Sequence, residues 1–261
     1  MKKLFGFFLF LALTSGFTAR AETNLQLFYD FGEDRKQLTS TVEGFYTDKW
    51  GNTFFFIDLD YHLRKQEFVP FPLGTYFEIA RCLNFWQESA LAPLSLHVEY
   101  NGGVYSKYGI NHAALAGLDW FIHSKDFKNT LNVKVLYKYI NYDGVDTPDG
   151  SYAKSKVPMQ FTLVWGLQDL FGATGLRFSG FADFWWQEHE VFPWNADTGY
   201  DWTNGEISHV VFLSEPQLWY NVGRHFGVDN LNVGGELELS WDFGSSKGFW
   251  CRPCLGLKWV L

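Results

Sequence analysis

From Thr53 to Tyr61, Phe55, Ile57, Leu59 and Tyr61 share one face of an extended strand, and Phe54, Phe56, Asp58 and Asp60 share the other. Successive strand side chains point to opposite faces, so the two aspartates mark a wet side and its opposite a greasy one. The alternation is cleanest at 94–101, where Leu94, Leu96, Val98 and Tyr100 oppose Ser95, His97, Glu99 and Asn101. It recurs through the chain and predicts about twelve strands: 24–31, 37–46, 53–61, 75–85, 94–101, 111–122, 131–139, 160–167, 176–186, 210–221, 233–242 and a last one from about residue 250 to 261. In the ninth, Phe178, Phe184 and Trp186 face away from Arg177, Ser179, Phe181, Asp183 and Trp185. In the last, Leu255, Leu257, Trp259 and Leu261 share a face. The tenth is the least regular.

Strands with one apolar face and one polar or small face suit a lipid bilayer when every backbone group finds a partner around a closed ring. The predicted fold is therefore all-β: a closed antiparallel up-and-down transmembrane barrel of about twelve strands. Connection lengths agree. The segments 86–93, 123–129, 169–175 and 223–230 are short and fall on one side, whereas the long ones, 64–73, 141–158 and 189–208, fall on the other, as periplasmic turns and external loops do. A soluble β-sandwich is the competing architecture, because sandwiches alternate too. Its difficulty is the number of large outward residues, more than two inner faces need.

The amino terminus supplies the export context. Lys2 and Lys3 precede an apolar stretch at 4–13, and Ala19-Arg20-Ala21 forms an A-x-A cleavage site, so 1–21 reads as a signal peptide and 22–261 as the barrel. The destination is the bacterial outer membrane. Aromatic residues make up 20% of the chain, yet the mean hydropathy is −0.14, and alternation reconciles the two. Losing Lys2, Lys3 and Arg20 leaves 18 basic residues against 29 acids, a net charge of −11. With no basic patch to offset phosphate charge, nucleic acid is excluded as a partner.

Cys82, Cys251 and Cys254 stand in an oxidising compartment. Cys251 and Cys254 resemble a C-x-x-C, but three residues apart on a strand they point to opposite faces. Zinc needs four ligands, and no second cluster has suitable spacing, so neither metal nor cofactor is expected.

Asp48-Lys49-Trp50-Gly51-Asn52-Thr53 leading into Phe54-Phe55-Phe56-Ile57-Asp58, Gly180-Phe181-Ala182-Asp183-Phe184-Trp185, and Gln217-Leu218-Trp219-Tyr220 together resemble the nucleoside-specific channel-forming porins, the Tsx-like family. The resemblance spans most of the mature chain in order. It implies a monomeric twelve-stranded outer-membrane barrel that passes nucleosides by diffusion. Leu261 departs from the pattern, standing where such barrels usually end on an aromatic residue.

The inward phase then names the candidate pathway. Phe54, Phe56, Phe181 and Trp185 are unusual in a water-filled lumen and offer faces for a flat ring, while Asp58, Asp60 and Asp183 can accept hydrogen bonds from sugar hydroxyls or exocyclic amines. The bland reading of the same aromatics is that they plug the barrel or line its rim. Elsewhere inside, Glu78, Glu99, Glu236 and Glu238 meet Lys134, Lys138 and Arg177, and His97 points inward beside Glu99. Membrane lipid and a small solute are the expected partners. Two other readings stay open: a non-conducting barrel that binds a ligand or partner through its external loops, and an outer-membrane lipid hydrolase built on outward His112. The second lacks a serine where one is needed, because the neighbouring position is alanine, and so no enzyme is expected.

Overall fold

A computed structural model describes residues 21–61, 63–64, 67–68, 71–106, 109–142 and 155–261. Residues 1–20 of the expected signal segment lie outside these residues, and its last, Ala21, opens the first strand. Twelve strands cross the wall: β1 (Ala21–Asp30), β2 (Leu38–Asp48), β3 (Gly51–Tyr61), β4 (Gly74–Leu83), β5 (Leu94–Tyr105), β6 (Gly109–His123), β7 (Asn129–Ile140), β8 (Met159–Gln168), β9 (Leu176–Val191), β10, β11 (Leu231–Trp241) and β12 (Phe249–Val260). Of these, β10 runs in two pieces, Glu206–Ser214 and Gln217–Asn221, both held between β9 and β11. Each strand pairs antiparallel with the next, and β12 pairs back onto β1 from Asn24↔Val260 to Asp30↔Cys254. That last pairing closes the ring and removes the sandwich, which would leave free sheet margins.

The wall obeys the alternation throughout. Along β12 Arg252 is fully buried and Leu255 is 64% exposed. Large apolar residues cover the outside, among them Leu25 and Leu27 on β1, Ile57 on β3, Val98 on β5, Val135 on β7 and Leu257 on β12. Trp50, Trp120, Trp241 and Trp259 stand near strand ends, where amphipathic rings suit the membrane interface. Water would pay heavily for such a surface and hydrocarbon would not, so the barrel is an outer-membrane one.

The connections 49–50, 84–93, 124–128, 169–175 and 222–230 lie at one end, and 31–37, 192–205, 242–248 and the strand ends bounding the other three connections at the other; residues 143–154 of the predicted loop 141–158 lie outside the described residues. The long segments do sort to a single side. Small hairpins ride in two of them, Leu63–Arg64 with Glu67–Phe68 and Trp194–Asn195 with Gly199–Tyr200.

The fifth and ninth strands run four and five residues further than the sequence reading, to Tyr105 and Val191, and β4 and β10 depart from it for identifiable local reasons. β4 ends at Leu83 because Asn84 turns the chain: its amide donates to the Ala92 carbonyl at 2.6 Å, and the Trp86 indole donates to the Leu94 carbonyl at 2.7 Å. β10 breaks at Glu215-Pro216, where proline has no N–H to give the ladder. The break presses against Gly180, whose φ of 153° suits glycine and where a Cβ would collide with the Glu215 carbonyl.

Candidate functional site

The inward side chains of twelve strands converge on one lumen, and three kinds of packing divide it. On one wall of the extracellular half, Arg252 of β12 lies opposite Glu238 of β11 in register, with Nη1 2.5 Å from Oε1 of the glutamate. Its Nη2 donates to Asp34 at 2.8 Å and to Ser246 Oγ at 2.8 Å. Arg35 adds a second guanidinium on Glu238, 2.5 Å away, and the Tyr200 hydroxyl donates to Asp34 at 2.6 Å. Loops 31–37, 192–205 and 242–248 are thus fastened onto the barrel wall by one network. Burial alone would raise the Asp34 carboxyl, but the hydrogen bonds from Arg252 and Tyr200 and the two guanidinium charges hold it below the ordinary carboxylate value.

Adjoining this network is an apolar cluster inside the barrel: Ala113, Leu115, Leu136, Ile140, Trp185 and Val211, with Tyr142, Leu213 and Phe243 against it, Leu213 pairing with Ser240 in the ladder. Leu136 is wholly buried between inward Lys134 and Lys138. Lys138 lies over the Trp185 ring at 4.0 Å and donates to Gln160 at 2.7 Å. The apolar cluster and the ionic network together occupy part of the outer half of the lumen.

The middle is acidic and aromatic. Asp58 accepts from Thr41 at 2.5 Å and Asp60 from Thr39 at 2.6 Å and from Tyr105. Tyr76, facing Asp58 across the β3–β4 ladder, donates to Glu78 at 2.6 Å. Glu99 takes His97 Nε2 at 3.0 Å, and Glu236 takes Gln217 at 2.9 Å. Opposite walls lie within electrostatic reach. Asp183 interacts with Glu78 and Glu99, and Asp58 with Glu215 and Glu236, while Lys134 and Lys138 oppose the charge of Asp183 and Glu99. Among the described residues, Asp183 Oδ1 is one of the few buried side-chain oxygens with no hydrogen-bond partner. Phe54, Phe56 and Tyr76 form a run of rings, with successive centroids 6.0 and 5.8 Å apart.

Every pathway candidate therefore occupies the inward phase, but they do not form one site. Asp60, His97, Lys138, Trp185 and Glu238 are buried and held by neighbours, whereas Phe54, Phe56, Asp58, Glu78, Glu99, Lys134, Phe181, Asp183 and Glu236 keep some exposed surface. Arg177 sits at the periplasmic mouth, 3.4 Å from Glu22. His112 faces outward as expected, with Nδ1 2.6 Å from the Tyr100 hydroxyl. Cys251 is exposed and Cys254 buried, each a free thiol, so the two do point to opposite faces.

The sequence reading passed over Tyr76, Glu215, Asp34, Arg35 and Arg252. Arg252 carried a usable signal, since the phase that sets Leu255 and Leu257 outward sets Arg252, Cys254 and Lys258 inward. Glu215 had none, because the break that positions it also interrupts the period.

Residues 22–261 match a family model described as Domain of unknown function (DUF5020). Among solved structures, the chain is similar to the NanC porin, with a TM-score of 0.53 and 8% identity over 91% of this chain and 98% of that one. It is also similar to the KdgM porin, with a TM-score of 0.46 and 6% identity over 92% and 99%. A third similar structure is OccK2 (OpdF) from Pseudomonas aeruginosa in complex with glucuronate, with a TM-score of 0.37 and 10% identity over 94% and 98%. No curated protein matches the chain. The likeness to the NanC porin shows a fold in common, the closed antiparallel β-barrel.

Proposed function

The chain belongs to the DUF5020 family, and from that premise and its barrel we propose that it is an outer-membrane diffusion channel for small solutes, working as a monomer, with nucleosides as the favoured cargo. One observation carries the reading: the middle of the lumen joins aromatic faces, Phe54, Phe56, Tyr76 and Phe181, to carboxylates on both walls. A flat base gains about 1 to 3 kcal/mol by stacking on such a ring. The carboxylates accept hydrogen bonds from ribose hydroxyls and exocyclic amines. Glu78, Glu99, Asp183, Glu215 and Glu236 outnumber Lys134 and Lys138, and a field of that sign disfavours phosphorylated solutes and favours neutral or cationic ones.

Liposome swelling tests this directly. Adenosine should enter faster than a monosaccharide of similar size and much faster than its 5′-monophosphate. In a salt gradient the channel should prefer cations, and Glu78→Gln with Glu236→Gln should move the reversal potential toward zero. Equal entry of all three solutes would remove nucleoside selectivity and leave the channel standing.

A second reading is favoured by the packing of the outer half, where the Arg252 network and the adjoining Leu136–Trp185 cluster occupy part of the lumen. On that reading the barrel does not conduct and instead presents its external loops to a ligand. A folded barrel silent in planar bilayers at all voltages would select it over the channel.

A further inference from the structure

Near the periplasmic end of the lumen, three inward residues from neighbouring strands meet: Cys82 on β4, His97 on β5 and Asp119 on β6. All three are buried, and one ligand atom from each lies within 4.8 Å of the other two. Cys82 Sγ is 3.3 Å from His97 Nδ1 and 3.3 Å from Asp119 Oδ2. Cys82 and His97 face each other directly in the β4–β5 ladder.

We propose that Cys82, His97 and Asp119 bind a divalent transition-metal ion of the zinc class, clipping β4, β5 and β6 together, with a lumen water as fourth ligand. Bonds of about 2.3 Å to sulfur and about 2.05 Å to nitrogen or oxygen, at the tetrahedral angle, put those ligand atoms about 3.6 Å apart. The observed 3.3 Å separations need an expansion of only a few tenths of an ångström. The surroundings also hold the ligands in their binding forms. His97 Nε2 is 3.0 Å from Glu99 Oε2, so the proton belongs on Nε2 and the Nδ1 lone pair is left facing the thiol. Asn132 donates to both oxygens of Asp119, at 2.8 and 3.0 Å, and fixes that carboxylate.

The same geometry superficially suits a nucleophile, base and orienting acid in the order Cys82, His97, Glu99. It fails as one because a thiolate there would sit against the Asp119 carboxylate, a like-charge contact in a buried place. A dication between them turns that repulsion into two bonds. On binding, the thiol proton passes to water and the sulfur becomes an anionic ligand.

The test uses the folded barrel in detergent, stripped with a chelator and equilibrated with Zn²⁺ or Co²⁺. Elemental analysis should find one ion per chain, and Co²⁺ should give a thiolate-to-metal charge-transfer band with tetrahedral visible absorption. Cys82→Ser should abolish the band, Glu99→Gln should weaken affinity about 10- to 100-fold, and Cys251→Ser with Cys254→Ser should leave both readouts intact. Heat-modifiable gel mobility reports folding of each variant. Should Cys82→Ser fail to fold, alkylation of the lone thiol in the Cys251→Ser/Cys254→Ser barrel decides, and Zn²⁺ should slow it at least tenfold. A folded barrel that takes up no metal, a charge-transfer band that survives Cys82→Ser, or alkylation that Zn²⁺ leaves unchanged would overturn the proposal.

Discussion

Arg252 and Glu238 are cross-strand partners on the last two strands, both buried, with 2.5 Å between guanidinium and carboxylate. The pair lies three residues from the outer ends of both strands, where Asp34, Arg35 and Ser246 of the loops reach it and Ser240 of β11 adds a longer hydrogen bond.

Removing one member of such a pair strands the other charges. Arg252→Met leaves two buried carboxylates, Glu238 and Asp34, with Arg35 as the one guanidinium between them, and should destabilise the barrel by about 3 to 5 kcal/mol. Equilibrium unfolding in urea with lipid vesicles measures it. Adding Glu238→Leu to Arg252→Met should return part of the loss, because two carboxylates no longer share the Arg35 guanidinium.

Asp34 gives the outer network a pH dependence. Its carboxyl is held low in the folded protein, so the contribution is fully present above the unfolded value near 3.8 and is lost as pH falls through and below it. Between pH 5 and pH 3, limited proteolysis at loop 31–37 should become faster. Asp34→Asn should be cut at the fast rate throughout, and a wild-type rate that does not change with pH contradicts the assignment.

How much of this was legible in the chain varies with distance along it. The wall was readable strand by strand, since lipid outside and polar lumen inside impose the period of two on each segment separately. His97 beside Glu99 was readable for the same reason, two residues apart on one face. Contacts that depend on register were not. Cys82 and Asp119 are 37 residues apart and meet only because β4, β5 and β6 align as they do. Zinc spacing was sought along the sequence, where these ligands show none. Arg252 was hidden inside Cys251-Arg252-Pro253-Cys254, which draws the eye to its sulfurs. Leu115 and Leu136 are apolar on the wet phase, a violation that becomes meaningful once Trp185 and Val211 are seen against them.

That cluster should set the width of the outer half. Trp185→Ala, which also frees Lys138 from the ring 4.0 Å beneath it, should raise single-channel conductance by at least half. The same deletion should cost about 3 to 5 kcal/mol of stability, as large-to-small changes in a packed core do. Conductance unchanged in a folded variant would place the ion path elsewhere.

The outer surface makes a separate claim about solvent. Ile57, midway along β3 and 41% exposed, stands between Val42 and Phe77 in the ladder. Ile57→Arg should destabilise the barrel in bilayers by about 2 to 4 kcal/mol if that position lies at the midplane. A cost near zero, measured by the same unfolding titration, would mean that water rather than hydrocarbon wets it.

The seam between β1 and β12 joins the first and last strands of the barrel, down to the Leu261 amide on the Thr23 carbonyl. Ring closure therefore waits for the carboxyl end to arrive, and no shortened intermediate can complete the cylinder. Until those two strands meet, each carries a raw edge, and in a bilayer both would face acyl chains.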